Sequence, residues 1–187
     1  MANITPAELQ NVELLSGFQP EELEQFAAAL EVREFSEGEN MIAGGDETRA
    51  LFLILSGQVE IELTSFIEET VLLATLGPQE VFGESTFFHA AAHQTTVRCI
   101  EAARVAVLPF AAYEAMLKAR SSVAYHLGAN AAHILAAHLQ AADQWIREVL
   151  EDNEEIQHRA FRDRYLRHFQ PASFATPTGF IGLGVNW

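Results

Sequence analysis

The residues of this chain that are able to do chemistry are concentrated in VFGESTFFHAAAHQTTVRC, the stretch from Val81 to Cys99. It holds a glycine at the end of an apolar run, then a carboxylate, a hydroxyl group and two histidines. These residues are Gly83, Glu84, Ser85, His89 and His93. Glycine lets the backbone turn tightly or approach a ligand closely, and histidine changes its charge between pH 5 and 8. The stretch predicts a binding site and not an enzyme, because no nucleophile, base and orienting group appear together.

The histidines also raise the question of a metal or haem site. His89 and His93 lie four residues apart, but they lack the His-x-His pair and the downstream carboxylate of a metal site in a β-barrel. Haem ligation by one of them would need an apolar pocket. His126 and His133 lie seven residues apart on one predicted helix face, where a dimer would gather four imidazoles for Zn²⁺. Exposed polar helix positions explain that pair more simply, so we expect no metal and no cofactor.

The elements around this stretch follow the order helix, β-structure, helix. A capping pattern at Thr5 and Pro6 predicts one helix start, and the run QPEELEQFAAAL predicts a second helix. From residue 32 to 108 the pattern becomes short period-two runs broken at glycines, which favours a small antiparallel sandwich or barrel. After Pro109 the chain is helical again, with a long alanine-rich stretch that reaches about residue 169.

Composition and charge narrow the class of protein. The chain has 187 residues, of which 49% are hydrophobic, enough for one domain and an appendage. Its first residues lack a basic stretch followed by an apolar run, and no segment approaches the roughly 20 apolar residues of a membrane span. Its one cysteine, Cys99, is expected to be a buried apolar residue. We expect a soluble, cytoplasmic protein.

The first part of the chain is strongly acidic. Residues 1–110 hold 18 acidic and 4 basic residues, a net charge of −14. Binding to duplex DNA depends mainly on Lys and Arg residues that neutralise phosphates. After Leu150 too few residues follow for the helix-turn-helix domain of a transcription factor. The sequence therefore predicts no DNA binding.

Two longer stretches, FSEGENMIAGGDETRALFLILSGQVEI and LATLGPQEVFGES, carry a resemblance to a known family. The chain resembles the cyclic nucleotide-binding domains of the catabolite activator protein family, protein kinase A regulatory subunits and cyclic-nucleotide-gated channels. The matching positions are Gly38, Glu39, Gly45, Asp46, Leu51 to Leu55, Gly57, Phe82 to Ser85 and Val97. The resemblance implies a mainly β fold, an antiparallel β-roll or double-stranded jelly roll, with N-terminal helices and a long C-terminal helix.

The resemblance also assigns roles to the stretch that begins at Gly83. In the family a short helical turn presents backbone amides to the cyclic phosphate, and a glutamate accepts a hydrogen bond from the ribose. Gly83, Glu84 and Ser85 match that pattern. The first amides of a helix lack partners within the helix and attract anions, so this turn is expected to remain competent for phosphate.

The arginine that pairs with the phosphate in that family is replaced. Counted back from Val97, its position falls on His93 and its small polar neighbour on Gln94, followed by Thr95. A guanidinium binds phosphate through charge-assisted hydrogen bonds of about 1.5–3 kcal/mol each, whereas the charge of a histidine is conditional. Arg98 follows in the same strand, but alternation aims it opposite to Val97. Tight binding of cyclic AMP, weak or altered-ligand binding, and no nucleotide binding are all open.

The long C-terminal helix carries an apolar stripe with spacings of four and three residues, typical of the seam of a two-stranded coiled coil. Its members are Leu127, Ala131, Ile134, His138, Ala141, Trp145 and Val149. The stripe predicts a homodimer through residues of about 120 to 150, with its early turns free to pack on the β-roll. In the family the same helix covers the base of the nucleotide, and the matching positions are near His138 and Leu139.

The chain is thus divided into an N-terminal helical segment (1–31), a β-roll (32–108), C-terminal helices (109–170) and an apolar tail (171–187) that is expected to dock. A basic cluster lies before the tail and is expected to make contacts within the molecule or between subunits, more than with nucleic acid or lipid. Its members are Arg159, Arg162, Arg164 and Arg167, with His158 and His168.

Two classes of function follow. The first is a stand-alone cyclic nucleotide-binding-like regulatory module, which binds cyclic AMP or a related nucleotide at an altered phosphate site and signals to a partner protein through its C-terminal helices. The second is a degenerate structural or interaction module that binds no nucleotide. In both, the protein is a homodimer and not an enzyme.

Overall fold

The computed structural model describes residues 4–64 and 70–152, and the elements within them follow the predicted order. The helices are α1 (Pro6–Leu9), α2 (Pro20–Ala28), α3 (Glu84–Phe88), α4 (Phe110–Lys118) and α5 (Ser122–Asp152), with a 3₁₀ helix at Glu13–Leu15. The strands are β1 (Glu31–Phe35), β2 (Asn40–Ile42), β3 (Ala50–Ser56), β4 (Val59–Thr64), β5 (Thr70–Leu76), β6 (Val81–Phe82), β7 (Thr96–Cys99) and β8 (Ala103–Pro109).

The strands form two four-stranded sheets with antiparallel pairing throughout the described residues. One sheet has the strand order β1-β8-β3-β6, and the other has the order β2-β7-β4-β5. The predicted antiparallel β-roll with flanking helices and a long C-terminal helix is confirmed. We use the term β-roll below for strands β1 to β8.

Strand β3 separates two hydrophobic cores. Phe52 and Ile54 face the second sheet, in a cluster that also includes Cys99. Leu51 and Leu53 point to the opposite side and pack with the helices. Because successive side chains of a strand alternate between faces, the continuous apolar run of β3 is the pattern of a strand buried on both sides.

Cys99 is buried, as the sequence predicts, and its exposed fraction is 1%. Burial raises the pKa of the thiol. The residue acts as a small apolar member of the core between the sheets.

The turn at Gly57 differs from a hairpin. Strand β3 pairs with β6 and β8, whereas β4 pairs with β5 and β7, so the short connection carries the chain from one sheet to the other. Gly57 has a φ of +86°, and a Cβ atom there would overlap the Ala102 carbonyl and Ala103. The position requires glycine for both its conformation and the close backbone contact.

The first turns of α5 pack in the hydrophobic cluster that includes Leu51 and Leu53 of β3. Leu127 and Ala131 are buried, and the half-buried Ile134 packs against the same cluster. Residues 138–152 belong to a second compact unit, within which Leu139 is 49% exposed. None of the described helices combines the length and apolar character needed to cross a membrane. The basic cluster and the apolar tail lie outside the described residues.

A buried carboxylate joins α2 to the start of α5. The Glu22 side chain accepts hydrogen bonds from the Gln19 amide and from His126 Nδ1, each at 3.0 Å. The Ser122 hydroxyl, the Gln19 amide and the His126 ring hold the pKa of Glu22 below its ordinary value of 4.5, with Ser122 the largest cause. His126, which the sequence explained as an exposed polar position, therefore holds two helices together.

We expect Glu22→Gln to lower the free energy of unfolding by about 1 to 3 kcal/mol at pH 7, because the charged acceptor of a buried network is lost. The folded-state pKa is lowered, so this contribution is present above pH 4.5 and is lost as the pH falls below it. The difference between wild type and variant in urea unfolding should therefore shrink from pH 5 to pH 3.

The matched control is Glu21→Gln, since Glu21 lies beside Glu22 on α2 and is exposed. Equal losses for both variants, or a difference independent of pH, would contradict the role given to Glu22.

Candidate ligand-binding site

The turn that begins α3 is fixed by a close backbone contact. Gly83 has a φ of +86°, and a Cβ atom added to it would lie 2.7 Å from the Ala50 carbonyl oxygen of β3. Glu84 and Ser85 follow as the first helical residues, half-buried and exposed respectively. The structure thus places the three predicted residues side by side, at a turn that only glycine allows.

His93 is buried beside this turn, with an exposed fraction of 7%. Its Nε2 atom lies 2.8 Å from the Thr48 carbonyl oxygen and 3.1 Å from the Thr86 hydroxyl of α3. A carbonyl only accepts hydrogen bonds, so Nε2 carries a proton and donates it. The Thr86 hydroxyl donates to the Gly83 carbonyl at 3.2 Å. His93 is therefore joined to α3 by a short network of polar atoms.

The backbone of His93 is fixed as well. Its N–H donates to the Asp46 carbonyl, and its carbonyl accepts from the Gly45 N–H, both at 2.8 Å. Gln94 is exposed, and Thr95 is half-buried. The histidine that stands at the family's arginine position is thus held at both its ring and its main chain.

The Arg98 side chain points away from the core between the sheets. Val97 and Cys99 are buried in the core between the sheets, and Arg98 lies between them in β7 with the opposite orientation. Its guanidinium lies 2.8 Å from the Glu62 carboxylate and 3.6 Å from that of Glu60. This arginine is engaged by two carboxylates of β4.

A cavity of about 210 Å³ lies beside Thr86. Its lining is Glu47, Arg49, Thr86, Ala90 and Ala91. Arg49 was not among the site residues predicted from the sequence. The available signal was its rarity, since only four basic residues occur in residues 1–110. A hydrogen bond between residues that are 38 positions apart in the sequence holds Arg49 beside the cavity: its Nε donates to the Phe87 carbonyl of α3 at 2.7 Å.

His138 and Leu139 are exposed residues of α5 and belong to the second unit. Their role as a cover for the base stays a prediction. In the part of the chain that the structure describes, no group of three or more His, Cys, Asp or Glu side chains is arranged to hold a metal ion.

Comparison with known proteins agrees with this architecture. The sequence model of the cyclic nucleotide-binding domain family matches residues 32–120. The cyclic AMP receptor protein of Thermus thermophilus is 29% identical over 130 residues, which cover 70% of this chain and 58% of the receptor. The crystal structure of the Thermus thermophilus catabolite activator protein superposes with a TM-score of 0.68 at 26% identity, covering 73% of this chain and 62% of that one. The chain spans about three fifths of the length of these relatives.

A third similar structure is the regulatory subunit of a cAMP-independent protein kinase A from Trypanosoma brucei. It has a TM-score of 0.60 and 25% identity, covering 72% of this chain and 45% of the subunit. A variant of that subunit with three substitutions, one of which changes threonine to arginine, is bound to cAMP in its A site.

We expect Gly83→Ala to destabilise the fold more than Gly38→Ala. Both glycines have left-handed backbone conformations, with φ of +86° and +80°, but a Cβ atom on Gly38 meets no other atom within 4 Å. The conformational strain of about 1 to 2 kcal/mol is common to both variants. Crowding against β3 should add about 1 to 3 kcal/mol for Gly83 alone. Urea unfolding of the two variants measures the difference, and equal losses would show that α3 moves away from β3 at no cost.

Proposed function

We propose that this chain is a regulatory module with an altered phosphate site, on the premise that its residues 32–120 match the sequence model of the cyclic nucleotide-binding domain family. In this proposal a cyclic nucleotide binds at the turn that begins α3, and the C-terminal helices pass the change to a partner protein. The observation that carries the proposal is the intact turn at Gly83 with His93 packed against it through Thr86.

The state of His93 supports an altered rather than an absent phosphate site. Its Nε2–H is already directed to the Thr48 carbonyl, so in the neutral ring the second nitrogen carries no proton. Protonation of Nδ1 gives the ring a positive charge and a second donor without breaking that hydrogen bond. His93 would therefore contribute to phosphate binding mainly at low pH.

Contacts behind α3 supply a route from the site to the C-terminal helices. The Phe87 ring lies 5.3 Å from that of Phe110 and 5.2 Å from that of Tyr113, measured between centroids, and both belong to α4. Phe87 and Tyr113 share one core cluster with Leu127 of α5. Close-packed side chains transmit displacement, so a ligand that moves α3 would also move α4 and the start of α5.

The second candidate is a degenerate module that binds no nucleotide. It is favoured by the burial of His93, whose ring nitrogen already has protein partners, and by the similarity to the regulatory subunit of a cAMP-independent protein kinase A. In this candidate His93 serves only to attach α3 to the chain before β3.

Calorimetry with cyclic AMP and cyclic GMP at pH 6 and pH 8 tests the first proposal. We expect the wild type to bind more tightly at pH 6, because protonated His93 adds a charge next to the phosphate. His93→Gln should remove this difference while its amide N–H still reaches the Thr48 carbonyl. His93→Arg should tighten binding and flatten the pH profile, whereas Glu84→Ala should weaken it through the lost ribose contact. Absence of binding to the wild type at both pH values would favour the degenerate module.

We also propose that the protein is a homodimer through the later turns of α5. Ala141 belongs to the predicted seam, whereas Ala136 lies on the opposite side of the heptad pattern, and both are exposed. A charge buried at a coiled-coil seam is destabilising, so Ala141→Glu should dissociate the dimer and Ala136→Glu should not. Light scattering measures the mass, and a wild-type mass near 20.7 kDa at micromolar concentration would refute the dimer.

A further inference from the structure

One arginine near the candidate site is not neutralised by a carboxylate. Residues 1–110 contain four basic residues, all of them arginines. Three form ion pairs with described residues: Arg33 with Glu31, Arg98 with Glu62, and Arg104 with Glu8. The fourth, Arg49, makes no ion pair within residues 4–64 and 70–152. Residues 1–110 carry a net charge of −14, and Arg49 is the one of their four arginines without an ion pair to a described residue.

Arg49 is held in place by contacts that leave part of its guanidinium unused. Its Nε donates to the Phe87 carbonyl at 2.7 Å, and one Nη2 contact reaches the Phe88 carbonyl at 3.5 Å. The guanidinium carbon lies 3.2 Å from the centroid of the Phe110 ring. A guanidinium has five N–H donors, and among the described residues Nη1 has no acceptor. Arg49 is oriented by the protein and still has donors to give.

Arg49 and Thr86 line the same cavity, and the Thr86 hydroxyl also contacts His93. We propose that Arg49 binds the phosphate of the ligand in this cavity and supplies the permanent charge that His93 cannot. This inference rests on the proposed function. It gives the site two basic residues near Thr86: Arg49, which lines the cavity and is always charged, and His93, which contacts Thr86 and whose charge is conditional.

The size of the cavity limits what enters it. Ligand pockets for whole drug-sized molecules have volumes of roughly 300–1,000 Å³, and this one has about 210 Å³. It fits the phosphate-bearing end of a nucleotide better than the whole molecule. Ala90 and Ala91, which are exposed and have the smallest side chains of the lining, leave the cavity open to solvent.

The Glu47 carboxylate defines the ligand further. It lines the cavity with Arg49 but forms no ion pair with it, and a carboxylate repels a bare anion while it accepts hydrogen bonds from hydroxyl groups. The lining therefore favours a phosphate ester that also carries a hydroxyl group, as a cyclic nucleotide does. Inorganic phosphate alone should bind more weakly.

The test is calorimetry of the full chain with cyclic AMP at pH 8, where Arg49 keeps its charge. We expect the wild type to retain binding there, Arg49→Gln to weaken it by about tenfold or more, and Arg49→Lys to fall between them, since lysine keeps the charge but not the planar fork. The control is Arg33→Gln, which removes the same charge at the exposed Arg33–Glu31 pair and should leave affinity unchanged.

A second variant is needed to tell a loss of binding from a loss of folding, because Arg49→Gln also removes the hydrogen bond to the Phe87 carbonyl. Ala91→Phe fills the cavity from an exposed position and leaves Arg49 intact, so it should weaken binding without lowering the unfolding temperature. If Arg49→Gln does not fold, a wild-type affinity for Ala91→Phe and Arg49→Lys together overturns the inference.

The results distinguish a failure of the role proposed for Arg49 from a failure of the proposed function. Wild-type affinity of folded Arg49→Gln at pH 8 would overturn the role of Arg49 and leave cyclic nucleotide binding established. Binding at pH 6 alone would also overturn it, since His93 would then be the cation that matters. Failure of both cyclic AMP and cyclic GMP to bind the wild type at either pH would overturn the inference and the proposed function together.

Discussion

Three consecutive residues at the point where the chain enters β3, Thr48, Arg49 and Ala50, hold the candidate site together. The Thr48 carbonyl accepts the ring N–H of His93, Arg49 Nε donates to the Phe87 carbonyl, and the Ala50 carbonyl leaves room only for a glycine where α3 begins. Strand β3 has a hydrophobic core on each face, so this segment cannot shift without disturbing both. The geometry of the candidate site is thus a consequence of how β3 is packed.

The same anchoring gives α3 a second function. Its Thr86 side chain faces the polar network, while its Phe87 ring is fully buried against Phe110 and Tyr113. One five-residue helix therefore has a polar side that contacts His93 and an apolar side that packs on α4. In the proposed function, a ligand that displaced the first side would also displace the second, because the helix is too short to bend between them. This arrangement suits a module that reports binding, and it would equally make a rigid interaction domain if nothing binds.

Local chemistry made part of this predictable from the sequence. The period-two runs predicted the strands, because alternation depends on neighbouring residues, whereas the turn at Gly83, Glu84 and Ser85 was predicted from the resemblance to the family. The crossing of the chain between sheets at Gly57 was not visible, since glycine serves a hairpin and a crossover equally well. Arg49 was also missed, because its contact with Phe87 depends on how the strands are paired, which no short window of sequence encodes.

The acidic character of the β-roll does not by itself exclude an anionic ligand. At physiological ionic strength charges separated by more than about 8 Å are largely screened, so the groups that line the cavity, Arg49 and Glu47, dominate its potential. Arg49 is already ordered by Phe110 and the carbonyl of Phe87, so binding costs it little further conformational entropy. The net charge of −14 over residues 1–110 instead disfavours polyanions most, because many of their phosphates approach these carboxylates within the screening distance at once. Local geometry would then set the affinity for a single phosphate, while the overall charge keeps nucleic acid away from the same surface.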